Sequence, residues 1–237
     1  MPRYPTPLPR KSSAEAGGVA AVDRALLLLT AFRAGDRSLS LSELAGRAHL
    51  VKSTALRLIA SLAHFGLVQR LGDGRYALGP EVARLQTVYT ASFPLDTVVP
   101  QVLRGLVART RESAAFHVRQ GDARLCLYRV DSPQPIRYHV QVGDLLPLDR
   151  GAGGRVLTAF GGAKGAIYER VRREGVAALV GDRSPDLAGI SAPVFGAGGE
   201  LAGAVTLTMP AGRFRKSQVA SVKAAARSIT LALGGES

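Results

Sequence analysis

Hydrophobic positions in the first third of the chain recur at helical spacing and stop at recognisable breakers. Val22, Ala25, Leu26, Leu29 and Phe32 predict a first helix, ended by Gly35 and Asp36. Ser40 and Glu43 form an S-x-x-E capping box that opens a second, short helix ending near Ala48 and His49. Leu39 and Leu44 flank that start as a hydrophobic staple. A third helix is expected from Lys52 to Phe65, with Ala55, Leu58, Ile59 and Leu62 as its apolar stripe and Gly66 just past its end. Two short strand-like runs follow, Leu67–Leu71 and Arg75–Leu78, joined by Gly72, Asp73 and Gly74. Glycine there supplies the positive φ of a tight hairpin turn.

The pattern then changes. Residues 81–93 predict a linker helix, and residues 94–237 a second domain. That domain opens with a helix over Leu95–Thr110 and continues in strands with turns at Gly121–Asp122 and Gly198–Gly199. Ile136 to Val142 alternates apolar and polar side chains, which predicts a half-exposed strand. A closing helix places Val219, Val222, Ala226, Ile229 and Leu233 on one face. The whole reads as α+β, with a mainly antiparallel sheet in the second domain.

Composition changes this picture in three places. The 237 residues carry a formal net charge of +13, which favours a polyanionic partner, nucleic acid before membrane. Residues 1–80 hold 11 Lys and Arg against 5 Asp and Glu, and the remainder 20 against 13, so charge alone does not place a DNA site. Residues 1–18 read as a disordered basic tail, with prolines at positions 2, 5, 7 and 9. The single Cys126 excludes an intramolecular disulfide framework and a multi-cysteine zinc site. Its leucine flanks favour a buried, inert thiol over a nucleophile. No apolar run approaches the roughly 20 residues of a membrane span. The expected setting is a reducing cytoplasm.

Three helices followed by a hairpin is the order of a winged helix-turn-helix, whose third helix enters the major groove. Lys52, Ser53, Thr54 and Arg57 lie opposite the apolar stripe of that helix. Arg57 is suited to guanine, the hydroxyls to phosphate or base, and Lys52 to phosphate at the helix start. Arg70 and Arg75 flank the hairpin as wing residues would. The plainer alternatives are a solvated cationic face and a capping role for Ser53 or Thr54.

No H-x-x-x-H, H-E-x-x-H or G-x-S-x-G occurs, and the glycine-rich stretches match neither a dinucleotide fingerprint nor a P-loop. No catalytic residue, metal site or cofactor is expected. Gly151, Ala152, Gly153 and Gly154 open a helix read as Arg155–Phe160, and free amides at such a start can seat an anion. A plain turn is the alternative. Thr206 and Thr208 share one face of a strand, as ligand donors or simply as good strand formers.

The order of motifs resembles one family. Val22-Asp23-Arg24-Ala25, Leu41-Ser42-Glu43-Leu44-Ala45, Lys52-Ser53-Thr54-Ala55-Leu56-Arg57-Leu58 and Gly74-Arg75-Tyr76-Ala77-Leu78-Gly79 look like the IclR DNA-binding domain. Gly143 to Leu157, Ala188 to Phe195 and Gly203 to Pro210 are similar to its effector domain. The resemblance covers residues 19–234. It implies a winged helix-turn-helix over residues 19–80 and an α/β effector-binding domain with a curved antiparallel, GAF/PAS-like sheet. It implies a transcriptional regulator, and a homodimer or dimer of dimers on a palindromic double-stranded DNA operator. It also implies a small organic-acid effector lined by Tyr138, Ala152, Gly153, Gly189, Thr206 and Thr208. Members that bind small keto acids carry an acidic residue near Leu179 and serine at the two threonine positions. These departures favour a less polar, aromatic or longer-chain acid. Residues 161–174 leave room for one helix where two are expected. A constitutive repressor whose second domain only dimerises, and an enzyme with a DNA-binding appendage, are the competing readings.

Overall fold

The computed structural model describes residues 18–33, 35–91, 95–138 and 140–236. The basic tail, all but Gly18, lies outside them, as do Pro94 and His139. The chain divides into two compact units, Met1–Ser92 and Phe93–Ser237.

The first unit holds α1 (Ala20–Thr30), α2 (Leu41–Arg47), α3 (Lys52–His64), the strands β1 (Val68–Arg70) and β2 (Tyr76–Leu78), and α4 (Pro80–Ala91). The expected capping box is formed: the Glu43 amide donates to Ser40 Oγ, and Glu43 accepts from the Ser40 amide. β1 and β2 pair antiparallel, Val68 with Leu78 and Arg70 with Tyr76. Tyr76 also exchanges both backbone hydrogen bonds with Leu39, each 2.7 Å, tying the wing to the entry of α2. Leu28, Leu44, Ala55, Ile59, Leu62, Val68 and Tyr76 make one buried core. The inward residue of α1 is Leu28, whereas Val22 and Leu26 are half exposed, at 53% and 50%. Four consecutive leucines put an apolar side chain on every face of that helix, so periodicity could not choose the buried one.

Gly79 closes the module by close approach. A Cβ there would overlap the Gly66 carbonyl, while the Gly79 amide donates to Leu67 O at 2.9 Å. Only glycine allows α4 to start against the end of α3.

The second unit is a six-stranded antiparallel sheet, ordered β5-β4-β3-β8-β7-β6 and curved into a half-barrel. Its strands are β3 (Ser113–Gln120), β4 (Ala123–Val130), β5 (Leu145–Pro147), β6 (Ala177–Val180), β7 (Leu187–Phe195) and β8 (Leu201–Pro210). Two helices cover one face, α5 (Leu95–Thr110) and α8 (Gln218–Ala232). Leu103, Leu106, Val222 and Ile229 from these helices meet Phe116, Ile190, Val205, Leu207 and Met209 from the sheet. On the other face, α6 (Ala152–Phe160) and α7 (Ala166–Glu174) bury Ala152, Val156, Leu157 and Val171 over Ala177 and Ala204. Alternate residues of β8 thus serve two layers, Val205, Leu207 and Met209 toward α5 and α8, and Ala204, Thr206 and Thr208 toward α6.

Two expectations need correction. Residues 136–138 and 140–142 form no strand; they run as a loop. The open edge of β4 that such a strand would need is taken by β5, with Ala123 opposite Pro147 and Leu125 opposite Leu145. The pairing continues through the Cys126 amide to Asp144 O and the Gly143 amide to Cys126 O. The loop is held instead by Arg129 Nη2 on Tyr138 O at 2.7 Å and Arg213 Nη2 on Ile136 O at 2.9 Å. Second, α6 begins at Ala152, almost a turn earlier than Arg155, so the glycines belong to the helix itself. Between α6 and β6 there is one helix, α7.

Candidate functional site

The first site is the solvent face of α3. Helix propensity and the buried stripe fix the helix, and the residues left over face outward. Lys52, Ser53 and Arg57 are exposed and Thr54 is half-buried beside the buried Ala55. Among the described residues, none of these four side chains has a hydrogen-bond or ion-pair partner. Arg70 is likewise exposed at the end of β1, its guanidinium lying over the Gly74 turn.

Arg75 is placed differently. Its Nε donates to Ser38 Oγ and its Nη2 to Ser38 O, both at 2.9 Å, and Nη2 reaches Glu43 Oε2 at 3.1 Å. The residue braces the capping box of α2 from the wing. The Glu43 carboxyl is held below its ordinary range first by the Ser40 backbone and hydroxyl, then by Arg75.

The second site is a partly open cleft between α6 and the sheet. It is lined by Ala152, Gly153, Gly189, Thr206 and Thr208, five of the six residues the sequence suggested. Leu179 and Leu187 supply apolar wall. The sixth residue, Tyr138, stands behind the lining residue Arg183, whose guanidinium carbon lies 4.6 Å above the tyrosine ring and whose Nη2 donates to Tyr138 Oη at 3.0 Å.

The glycine-rich start of α6 is partly occupied by the protein's own carboxylate. Asp182 Oδ2 accepts from the Gly151 amide at 2.6 Å, and Asp182 Oδ1 pairs with Arg155 Nη2 at 3.0 Å. The Ala152 and Gly153 amides, in the first turn, have no acceptor among the described residues.

Thr206 is less available than its sequence position implied. Its Oγ1 lies 3.2 Å from His117 Nδ1 and 2.9 Å from Ser191 Oγ, and Ser191 donates to Val205 O at 2.9 Å. Three contacts need three protons. They are supplied when His117 Nδ1–H donates to Thr206, Thr206 to Ser191, and Ser191 to Val205. Burial keeps the His117 imidazole neutral, with Arg124, Arg129 and Arg183 adding to that effect. The Thr208 hydroxyl has no such engagement.

The residue that sequence reasoning missed is Arg124, on β4. It is 2% exposed, and its Nε and Nη1 have no hydrogen-bond partner. Burial, then the neighbouring Arg183, pushes its pKa down to about 9. Its guanidinium lies against the bare backbone of α6. A Cβ on Gly153 would stand 3.0 Å from Nη1 and 2.7 Å from Thr206 Oγ1, and one on Gly154 would stand 2.9 Å from Nη1. The only signal available in the sequence was Arg124 itself, beside leucines on β4. Cys126, two residues on, is fully buried, and burial pushes its thiol up to about 11, as an inert core residue.

Comparison with known proteins agrees with both halves. Residues 21–72 match the IclR helix-turn-helix domain, and residues 87–169 and 166–233 match the bacterial transcriptional regulator IclR C-terminal domain. The glycerol operon regulatory protein of Streptomyces coelicolor is 27% identical over 250 residues, covering 92% of this chain and 98% of that protein. An IclR transcriptional regulator of Silicibacter sp. TM1040 superposes with a TM-score of 0.79 at 26% identity, over 91% of this chain and 97% of the other. An IclR homologue of Microbacterium hydrocarbonoxydans complexed with 4-hydroxybenzoate shares the fold, with a TM-score of 0.79 at 21% identity over 90% and 99% of the two chains. The curated relatives are transcriptional regulators rather than enzymes. With a capped helix-turn-helix carrying an unpaired cationic face, a half-barrel domain with a cleft at the start of α6, and family models spanning nearly all of both, the chain belongs to the IclR family of transcriptional regulators.

Proposed function

We propose that this regulator binds a palindromic double-stranded DNA operator as a homodimer, or a dimer of dimers, in the bacterial cytoplasm. A small organic acid held in the cleft of the second unit modulates that binding. The observation that carries the DNA reading is the face of α3, where Lys52, Ser53 and Arg57 are exposed and engage no other side chain or backbone group among the described residues. Arg57 is placed to read a base, Ser53 and Thr54 to reach base or phosphate, and Lys52 and Arg70 to hold backbone. Arg75 contacts DNA from the wing while still tied to Ser38.

The effector reading is supported by the convergence of Ala152, Gly153, Gly189, Thr206 and Thr208 on one cleft, with Leu179 and Leu187 as apolar wall. Aromatic acids belong in the first panel, because a homologue of the same fold carries 4-hydroxybenzoate. The deciding experiment is fluorescence anisotropy of the full chain on the DNA upstream of its own gene, with and without the acid panel. Arg57→Ala is expected to cost about 1–3 kcal/mol and to relax preference at one base position. Unchanged selectivity in that variant would remove α3 as the reading helix. DNA binding that no acid alters would favour the constitutive repressor.

A further inference from the structure

We propose that Arg124 reads the charge of the effector, so that the cleft takes a monocarboxylate with an apolar body and rejects its neutral isosteres. The inference rests on the effector reading above and goes one step further, naming the ligand's charge and the residue that recognises it.

Arg124 is a buried cation, and two of its three guanidinium nitrogens have no hydrogen-bond partner among the described residues. Its Nε and Nη1 are buried and make no hydrogen bond. The one acidic residue lining the cleft, Asp182, directs its oxygens to the Gly151 amide and to Arg155. A buried charge ordinarily has a partner or loses its proton. Arginine is poorly able to take the second course.

The surroundings sharpen the point. The guanidinium is pressed against the amino end of α6, where free amides already carry positive partial charge. Glycine at 153 and 154 leaves the room it occupies, since a side-chain carbon at either position would come within about 3.0 Å of Nη1. At Gly151 a Cβ would approach Nη2 to 3.1 Å. Cation and helix start therefore converge on one wall of the cleft, and an anion lying against both satisfies both. A carboxylate accepts from Arg124 through one or both oxygens and from the Ala152 and Gly153 amides. The Thr208 hydroxyl is free to add a donor, whereas Thr206 is engaged with His117 and Ser191. Leu179 and Leu187 face the rest of the ligand, which sets an apolar body rather than a second charge.

The test uses the full-length protein and matched pairs: benzoate with benzamide, phenylacetate with phenylacetamide, octanoate with octanamide. Thermal shift and calorimetry are expected to show binding by at least one acid and at least tenfold weaker binding by its amide. Arg124→Met should lose that acid by tenfold or more, while its ligand-free melting temperature stays level or rises, because an unpaired buried charge is gone. Arg124→Lys should fall between the two. The acid-to-amide ratio in the parent is independent of any variant, so a misfolded Arg124→Met leaves the comparison intact. Acid and amide binding alike, with Thr208→Val weakening both, would overturn the charge inference and leave the effector reading standing. So would an Arg124→Met protein that holds the acid as tightly as the parent. If no member of the panel binds the parent, the effector reading falls and this inference with it.

Discussion

Asp182 Oδ2 lies 2.6 Å from the Gly151 amide while Asp182 Oδ1 lies 3.0 Å from Arg155 Nη2, so one carboxylate fastens both ends of the first turn of α6. Burial works against its ionisation, but hydrogen bonds from Arg155 and from the Gly151 amide outweigh it and hold the carboxyl below its ordinary 3.8. A carboxyl with a depressed folded pKa contributes stability above its unfolded value and loses it as pH falls through the folded one. Asp182→Asn should therefore cost about 1.5–3 kcal/mol in urea unfolding at neutral pH. The gap between parent and variant should narrow as pH drops below 3.8 and vanish once the folded carboxyl protonates. A gap constant with pH would mean that the cap acts by shape alone.

Arg75 and Arg57 should separate stability from recognition. Arg75 braces Ser38 and the capping box of α2, whereas Arg57 has no partner among the described residues. Arg75→Ala is expected to lose about 1–2 kcal/mol of stability in the first unit, through the hydrogen bonds to Ser38. Arg57→Ala should unfold with the parent and lose only DNA affinity. Chemical denaturation of both, beside anisotropy titrations, checks the division. Equal stability of the two variants would mean that Arg75 does not brace α2 and serves DNA contact alone.

Arg70 should act on every sequence alike. It is exposed on the wing and suited to phosphate rather than to a base edge. Arg70→Ala is expected to weaken specific and nonspecific binding by the same factor. It should also reduce the slope of log affinity against log salt by about 0.9. A change confined to the operator would mark it as a base reader.

Val22 and Leu26 should carry dimer contact. Both are apolar, half exposed and on the face of α1 that the module's own core leaves outside. Leu85 on α4 is similarly exposed, at 46%. Leu26→Asp is expected to leave the helix-turn-helix folded and to shift sedimentation at micromolar concentration toward monomer. Operator affinity should fall with it, since two half-sites need two recognition helices. A monomeric parent protein would remove the palindrome as well.

The helix-turn-helix was legible because its signals are local. The Ser40–Glu43 box, the Gly72–Gly74 turn and the stripe of α3 each act within one helical turn or one hairpin, and each formed as expected. The sheet was less legible because strand identity depends on who holds the neighbouring edge. Ile136–Val142 alternates as a strand should, but β5 occupies the place it would need. Arg124 failed for a related reason. On β4 it stands beside leucines as any solvated strand residue would, and the glycines that close over its guanidinium, Gly153 and Gly154 of α6, lie far off in sequence. The cleft residues were found by family position rather than by physics, which is why the charge among them went unseen. The proton chain through Thr206 was hidden in the same way, since His117, Ser191 and Thr206 come from three strands.

That chain separates the two cleft threonines, which a sequence reading treats as equivalent. Thr206 is 5% exposed and bonded to His117 and Ser191, while Thr208 is more open and unengaged. Thr206→Val keeps the shape but strands the His117 Nδ1 proton and leaves Ser191 without its donor, both buried. That loss should cost about 1–3 kcal/mol and lower the melting temperature with no ligand present. Thr208→Val should leave stability within about 0.5 kcal/mol, since its hydroxyl serves nothing in the empty cleft. Ligand binding should show the opposite order. Thr208→Val removes a donor that an acid can use, expected to weaken the acid that binds the parent by roughly threefold to tenfold. Thr206→Val should weaken it only in proportion to any loosening of the fold. Melting curves and calorimetry on the two single variants decide the matter. If Thr206→Val is as stable as the parent, the His117–Thr206–Ser191 chain is not formed as described. If Thr208→Val binds that acid unchanged, the carboxylate is held by Arg124 and the α6 amides without help from β8.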